Sequence, residues 1–359
     1  MTDIYLRPTG FVDAPFGFDG QVARLAGGML WFSAVEVLGR GTPARLIAVA
    51  DIDAFLSDNP QAQPTWQHLI APRPALQLDG RTLRFDEPQI MAILNMTPDS
   101  FSDGGKHGDA GAAAAAGYDM AAAGAAIVDV GGESTRPGAD PVWEQDEIER
   151  VVPVIEKLAV SGTLTSIDTR KSAVMRAALA AGAQIVNDVS GLTHDETSMG
   201  VVAASGAPVV LMHAQGDPQT MQDAPHYDHA LLDIYDWLAA RVAAAAAAGI
   251  DRARIIADPG IGFGKSVRHN LEILNGLALF HGLGVPILLG ASRKRFIGAL
   301  SEEAGVDDRL GGSIAVLSTA LAQGIQKFRV HDVPESVQAV RVWRGGRDAA
   351  LSPPATLGS

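Results

Sequence analysis

From about residue 85 onward, short apolar runs rich in β-branched residues alternate with longer stretches whose apolar positions recur at helical spacing. The short runs are Gln89–Asn95, Ala126–Gly132, Leu164–Thr169, Ile185–Ser190, Pro208–Ala214, Ile255–Gly260, Pro286–Ser292 and Lys327–Asp332. Most are apolar throughout instead of at every second position, as expected of parallel strands buried on both faces. The intervening stretches include Ala173–Ala181, His229–Ala248 and Pro334–Trp343, which are predicted helices. Residues 112–116 and 243–248 are unbroken alanine followed by glycine, and each reads as a helix with a C-terminal stop. A strand followed by a helix, repeated eight times, predicts a closed (β/α)8 TIM barrel. A doubly wound open sheet is the alternative.

Residues 1–84 do not keep this rhythm. They contain LAGGMLWFSAVEVLGRG and ARLIAVADIDAFL, apolar enough to fold, and they predict a small α/β appendage on the barrel. Within Ala75–Phe85, Asp-Gly separates ALQL from RTLRF, a hairpin signal placed to plug the barrel floor. The predicted division is an N-terminal extension over 1–84, a barrel over 85–347 and a disordered tail over 348–359.

Composition narrows the function. The 359 residues suit one barrel with an added segment, and a 47% hydrophobic content supports a large core. A net charge of −13 argues against non-specific binding to nucleic acid or to an anionic membrane, while leaving room for a small anionic ligand held by a few placed cations. The absence of cysteine excludes disulfides and thiolate zinc sites. No apolar run is long enough for a membrane span, and the opening MTDIYLRPTG has no signal-peptide core, so a cytoplasmic protein is expected.

The unusual polar residues fall at or just past the C-terminal ends of the predicted strands, the rim on which barrels build active sites. They are Asn95, then Glu133 to Arg136, Asp168, Asn187 with Asp188, Met212 with His213, Asp258, then Ser292 to Lys294, and Arg329 with His331. Each has a plainer reading. Asp168 is equally placed to cap the next helix, Asn187 and Asp188 to bond within a turn, and His213 to be a packed core histidine. Glu133 is expected to pair with an arginine. The run from Asp258 to Lys265 is glycine-rich but has Pro259 where a Walker A motif needs glycine, so its glycines are read as allowing backbone to approach a flat ligand. The polar loops Thr97–Gly108 and Glu133–Val142 read as lids over substrate.

These residues lie in segments that resemble the dihydropteroate synthases: ILNMTPDSFSDGG (93–105), VDVGGESTRPGA (128–139), SIDTRK (166–171), VNDVSG (186–191), LMHAQGDPQTMQ (211–222), ADPGIGFGK (257–265), LLGASRKRFIG (288–298) and RVHDV (329–333). The resemblance runs from about residue 85 to 345 and leaves residues 1–84 unexplained. It implies an eight-fold barrel, commonly dimeric, that uses Mg²⁺ to condense p-aminobenzoate with 6-hydroxymethyl-7,8-dihydropterin pyrophosphate. It further implies Asn95 as a ligand of Mg²⁺ and pyrophosphate, with Thr135, Asp168, Asn187, Asp258 and Lys294 around the pterin and Met212 on its pocket wall. Arg329 and His331 would hold pyrophosphate, and Arg136 and Phe263 would lie near the benzoate. Arg295 stands where some members carry a serine near the benzoate carboxylate.

The chemistry suits these residue types. A carboxylate such as Asp258 can accept paired bonds from an amino group and an adjacent ring N–H. Asn187 can donate and accept at once, and Lys294 can donate to a ring nitrogen or carbonyl oxygen. Arg329 and His331 would offer cations to the pyrophosphate. A neutral aromatic amine needs little activation, so an SN1-like path without a protein nucleophile is expected. The benzoate carboxylate is placed near the start of the helix after Lys294. The alternatives are a methyl-tetrahydrofolate methyltransferase, which has no use for a pyrophosphate site, and a non-catalytic pterin-binding protein.

Overall fold

A computed structural model of the chain describes residues 4–96, 110–134, 141–216 and 220–352. Its centre is an eight-stranded parallel sheet: β7 (Gln89–Asn95), β8 (Ile127–Gly131), β9 (Thr165–Asp168), β10 (Ile185–Asp188), β11 (Val209–Met212), β12 (Ile255–Asp258), β13 (Leu288–Leu289) and β14 (Lys327–Val330). Neighbours pair in chain order, and β14 pairs back onto β7. A parallel bridge from Ala257 to Ile287 joins β12 to the segment entering β13, so the sheet closes on itself. An open doubly wound sheet is thereby excluded, and the eight predicted runs are the eight strands. Several predicted runs overshoot at their C-terminal ends, as with Ile185–Ser190 against an observed Ile185–Asp188. The residues beyond the ladder face the rim and bond to side chains and loops instead.

Helices pack around the sheet: α3 (Ala110–Ala123), α4 (Glu144–Val160), α5 (Ser172–Ala180), α6 (Ser198–Ser205), α7 (Ala230–Ala247), α8 (Val267–Asn275), α9 (Arg295–Leu300), α10 (Leu310–Leu321) and α11 (Val333–Leu351). The second alanine run lies in α7 and stops at Gly249, whose positive φ of 98° suits glycine. The first run differs from expectation, because Gly117 does not stop α3. It is buried mid-helix, where a Cβ would come within 2.8 Å of a Leu158 methyl, so it lets α3 and α4 pack closely.

The barrel interior is layered with a period of two along each strand. Met91, Ile127, Ile185, Val210, Ile256 and Leu288 form a floor layer. The predicted hairpin closes it from below: β5 (Leu76–Leu78) and β6 (Arg81–Leu83) turn at Asp79 and Gly80, both with positive φ, and bury Leu76, Leu78, Leu83 and Phe85 against that layer. Two residues further along the same strands stand Ile93, Asp129, Asn187, Met212, Asp258 and Gly290. Three of these six inward positions, Asp129, Asn187 and Asp258, thus change from apolar to polar in one step toward the mouth.

The extension has its own core. Strands β1 (Tyr5–Val12), β2 (Ala23–Arg24) and β4 (Thr42–Ala48) pair antiparallel with the central β3 (Trp31–Gly39), followed by α1 (Ile52–Asp58) and α2 (Gln63–Ile70). Phe32 packs edge-on to Trp66 with ring centroids 5.8 Å apart, among Leu6, Leu56 and Leu69. It joins the barrel on the floor side. The Tyr5 hydroxyl donates to Asp236 on α7 at 2.8 Å, and Arg40 donates to Asp233 and Asp236 at 2.6 Å each. Arg73 donates to the His281 carbonyl at 2.9 Å. Among the described residues, no helix is long and apolar enough to cross a membrane.

Candidate active site

At the mouth of the barrel, β8, β9, β10 and β14 bring one charged cluster together. Arg329 donates from Nε to Asp129 Oδ2 and from Nη2 to Asp168 Oδ2, both at 2.6 Å, and Asn187 Nδ2 donates to the same Asp129 oxygen at 2.9 Å. All four side chains are buried or nearly so. One guanidinium between two carboxylates leaves the cluster a charge short of balance. Asp168 responds: burial pushes it up to about 7, and Asp129 adds to the push while Arg329 pulls against it. Arg329 is raised by its carboxylates, which outweigh its own desolvation. The other oxygens, Asp129 Oδ1 and Asp168 Oδ1, are buried and have no hydrogen-bond partner among the described residues. Buried acceptors left so are costly unless something arrives to donate to them.

A cavity of about 580 Å³ opens over this cluster. Asn95, Asp168, Phe263, Lys294, Arg329 and His331 all line it. Asn187 is buried beside the cavity and bonded to Asp129. Asp258 is buried beside the cavity, with its Oδ1 accepting the Gly260 N–H at 2.7 Å. Its Oδ2 stands 3.6 Å from where a side chain on Gly290 would begin, so the glycine leaves that oxygen open. Burial raises Asp258 to about 6, opposed by the Gly260 N–H and by Lys294. Lys294 Nζ sits 3.9 Å from the centre of the Phe263 ring. Met212 is buried at the end of β11. Thr135, Arg136 and most of the two expected lid loops lie outside the described residues.

The chain matches the model of the pterin binding enzymes over residues 91–331. It is 44% identical to the dihydropteroate synthase of Escherichia coli (strain K12) over 264 residues, covering 73% of this chain and 93% of that one. The chain belongs to the dihydropteroate synthase family. Among solved structures, the Xanthomonas albilineans dihydropteroate synthase with 4-aminobenzoic acid superposes with a TM-score of 0.71 at 46% identity, covering 76% of this chain and 98% of that one. The Burkholderia cenocepacia dihydropteroate synthase complexed with 7,8-dihydropteroate gives 0.69 at 39% identity, covering 77% and 97%. The matched family region begins after the extension.

Within this family member, several expectations can be settled side chain by side chain. Asp168 does not cap α5, whose N-cap is Lys171. Asp188 does make turn bonds, accepting from Ser190 and Leu192, whereas Asn187 does not. Glu133 pairs with Arg170 at 3.2 Å and Lys171 at 3.1 Å, as its expected structural role requires. His213 is a packed core histidine, edge-on to Trp237 and lowered to about 2, mainly by burial.

Two expectations change. The glycines of the 258–265 run mostly serve protein packing. A Cβ on Gly260 would fall 1.9 Å from the His213 carbonyl, and one on Gly264 2.4 Å from the Gln215 carbonyl. Gly262 alone faces the cavity side, against Lys294. His331 is not a cation here. Burial, then Arg329, Arg293 and Lys294, lower it to about 4, so it offers an imidazole whose Nδ1 lies 3.1 Å from the Ser292 hydroxyl. Sequence reasoning missed Asp129, hidden inside a strand, and Lys265. The latter is a buried cavity-lining lysine that donates to the His213 and Phe263 carbonyls.

Proposed function

We propose that the cavity condenses p-aminobenzoate with 6-hydroxymethyl-7,8-dihydropterin pyrophosphate, giving 7,8-dihydropteroate and pyrophosphate. The observation that carries this is the Asp129–Arg329–Asp168 cluster with its open acceptor oxygens, set beside Asp258 and Lys294 at the mouth of a family barrel. The pterin's amino group and ring N–H would donate to Asp258 Oδ2, with Lys294 and Asn187 completing the ring edge. Asp168 and Thr135 would flank the ring, and Met212 would form its wall. Arg329 and the imidazole of His331 would face the pyrophosphate, and Phe263 and Arg136 the benzoate.

Asn95 and Asp168 both line the cavity, Asp168 with a buried Oδ1 that has no hydrogen-bond partner among the described residues, and a hard ion needs only one or two protein oxygens when phosphates supply others, so these side chains suit Mg²⁺. Asn95 would hold it. When bound, the ion neutralises charge on the departing pyrophosphate. Arg329 and His331 stabilise the same oxygens as the C–O bond breaks and pyrophosphate leaves with its electron pair. The amine nitrogen then bonds to the methylene carbon and loses a proton. Positioning carries the rate, and no covalent enzyme intermediate is needed. The family resemblance further supports a cytoplasmic homodimer, which light scattering after gel filtration would test. The decisive assay mixes both substrates with Mg²⁺ and follows pyrophosphate and dihydropteroate. Pterin binding without pyrophosphate release would refute the synthase reading in favour of a non-catalytic pterin binder.

A further inference from the structure

The seam between the extension and the barrel floor holds a second cavity, of about 760 Å³, at the end of the barrel opposite the mouth. Arg24 and Ile70 line it from the extension, Arg73 from the connecting residues, and Arg84 and Asp86 from just past the floor hairpin. The seam is tight: Gly27, at φ +70°, runs so close to Pro72 that a Cβ there would stand 2.8 Å from the Pro72 Cα. Three guanidinium groups against one carboxylate make this wall positive in a chain whose net charge is −13. The carboxylate is already engaged, since Asp86 accepts from Arg84 Nε at 2.9 Å and from Nη2 at 2.6 Å. Arg24 and Arg73 have no ion-pair partner among the described residues.

Arg73 is the more constrained of the two. It is only 7% exposed, and it donates from Nη1 to the Ala71 carbonyl at 3.0 Å and from Nη2 to the His68 and His281 carbonyls at 2.8 and 2.9 Å. Its Nε has no hydrogen-bond partner among the described residues. Burial, with Arg252 adding to it, pushes Arg73 down to about 10, so it remains a cation at neutral pH. Carbonyl dipoles solvate a buried guanidinium but leave its charge unbalanced, and a counter-ion completes such a site. Arg24 supplies a second cation: its Nε donates to the Gly28 carbonyl at 2.7 Å and its guanidinium carbon lies 5.3 Å from the centre of the Trp31 ring, while its terminal nitrogens have no hydrogen-bond partner among the described residues. A multivalent oxyanion answers both cations. The cavity also has room for an organic body behind the anion, since clefts of about 300–1,000 Å³ take small-molecule ligands. We propose that this seam binds a phosphate group, free or carried by a small metabolite, through Arg24, Arg73 and Arg84, and that the occupant ties the extension to the barrel floor.

This site is independent of the chemistry at the mouth, and hydrogen–deuterium exchange on the full chain reads the two ends of the barrel separately. The probes are inorganic phosphate and ribose 5-phosphate, with sodium chloride at equal ionic strength as the control. Phosphate should slow exchange across residues 70–86 severalfold, and chloride should not. Arg24 and Arg84 are both exposed, so their replacement spares the core. In Arg24→Gln and in Arg84→Gln the phosphate concentration giving half of that protection should rise about tenfold, the loss of one charge-assisted contact. Arg73→Met should abolish the protection, and because it also alters a buried contact of the seam, the two exposed variants decide. In His331→Gln, at the opposite end, the response of residues 70–86 should be unchanged. Tighter protection by ribose 5-phosphate than by phosphate identifies an organic phosphate as the occupant and the reverse order the free ion, and either upholds the site. Equal slowing by chloride, an unaltered response in both Arg24→Gln and Arg84→Gln, or loss of the response in His331→Gln would overturn it.

Discussion

His331 faces Arg329, Arg293 and Lys294, with only Asp332 pulling the other way, and it is largely buried. Its ring is therefore uncharged until the pH nears 4, against an ordinary value of 6.5. For folding, a base lowered in this way contributes stability that is fully present above pH 6.5 and is lost as the pH falls toward 4. For binding, the sign reverses. A dianion beside the ring raises its pKa, so binding takes up a proton and tightens as the pH falls toward 4. Sulfate stays fully ionised through this range and makes a clean probe. Between pH 7 and pH 5 sulfate affinity should increase several-fold more in the unaltered protein than in His331→Gln, measured by calorimetry. Asp168, which burial pushes up, is present in both proteins and is common to the comparison. Identical pH slopes would remove His331 from the anion site. The residue scale is also where the sequence concealed most. Asp129 meets partners 58 and 200 positions away, and nothing local distinguishes it from its strand neighbours until the closed barrel aligns β8 with β10 and β14.

At the scale of elements, the strands were legible because burial on both faces writes them as continuous apolar runs, and the hairpin because Asp79-Gly80 has the turn chemistry it needs. The antiparallel sheet of the extension was not resolved into strands. One of its strands contains Pro8 and Gly10, and ARLIAVADIDAFL, read as one apolar stretch, divides into the end of β4 and most of α1. The glycine-rich loop after β12 shows what composition cannot say. Its glycines are there because two rim loops run in contact, backbone against backbone. Gly260 has φ +67°, and a methyl there would overlap the His213 carbonyl at 1.9 Å. Left-handed backbone costs a non-glycine residue about 1 kcal/mol, and the overlap forces the loop to move as well. Gly260→Ala should therefore lose about 3 kcal/mol in urea unfolding and weaken pterin binding through displacement of Asp258, whose Oδ1 accepts the Gly260 N–H. Full stability and full pterin affinity would show that the loop has room the geometry denies.

For the molecule as a whole, the question is what holds the extension to the barrel. The ion pairs of Arg40 are partly exposed, and such pairs are worth at most about 1 kcal/mol. The apolar contact is larger in kind. Tyr5 is buried with the barrel's own core, edge-on to Tyr235, and the segment Leu277–Leu283, beside the extension at the floor, is buried at every position. Burial of one large side chain contributes about 2 kcal/mol, so the docking should be carried by the floor and not by charge. Arg40→Ala should accordingly shift the unfolding midpoint by no more than about 3 °C, whereas a chain beginning at residue 72 should lose about 10 °C and self-associate through its uncovered floor. Because the mouth lies at the opposite end of the strands, the soluble fraction of the shortened chain should keep the KM of both substrates within about twofold. Calorimetric scans with light scattering measure the first effect and steady-state kinetics the second. A stable, monomeric shortened chain with altered KM would reverse the assignment, making the extension a part of the site and not a cover for the floor.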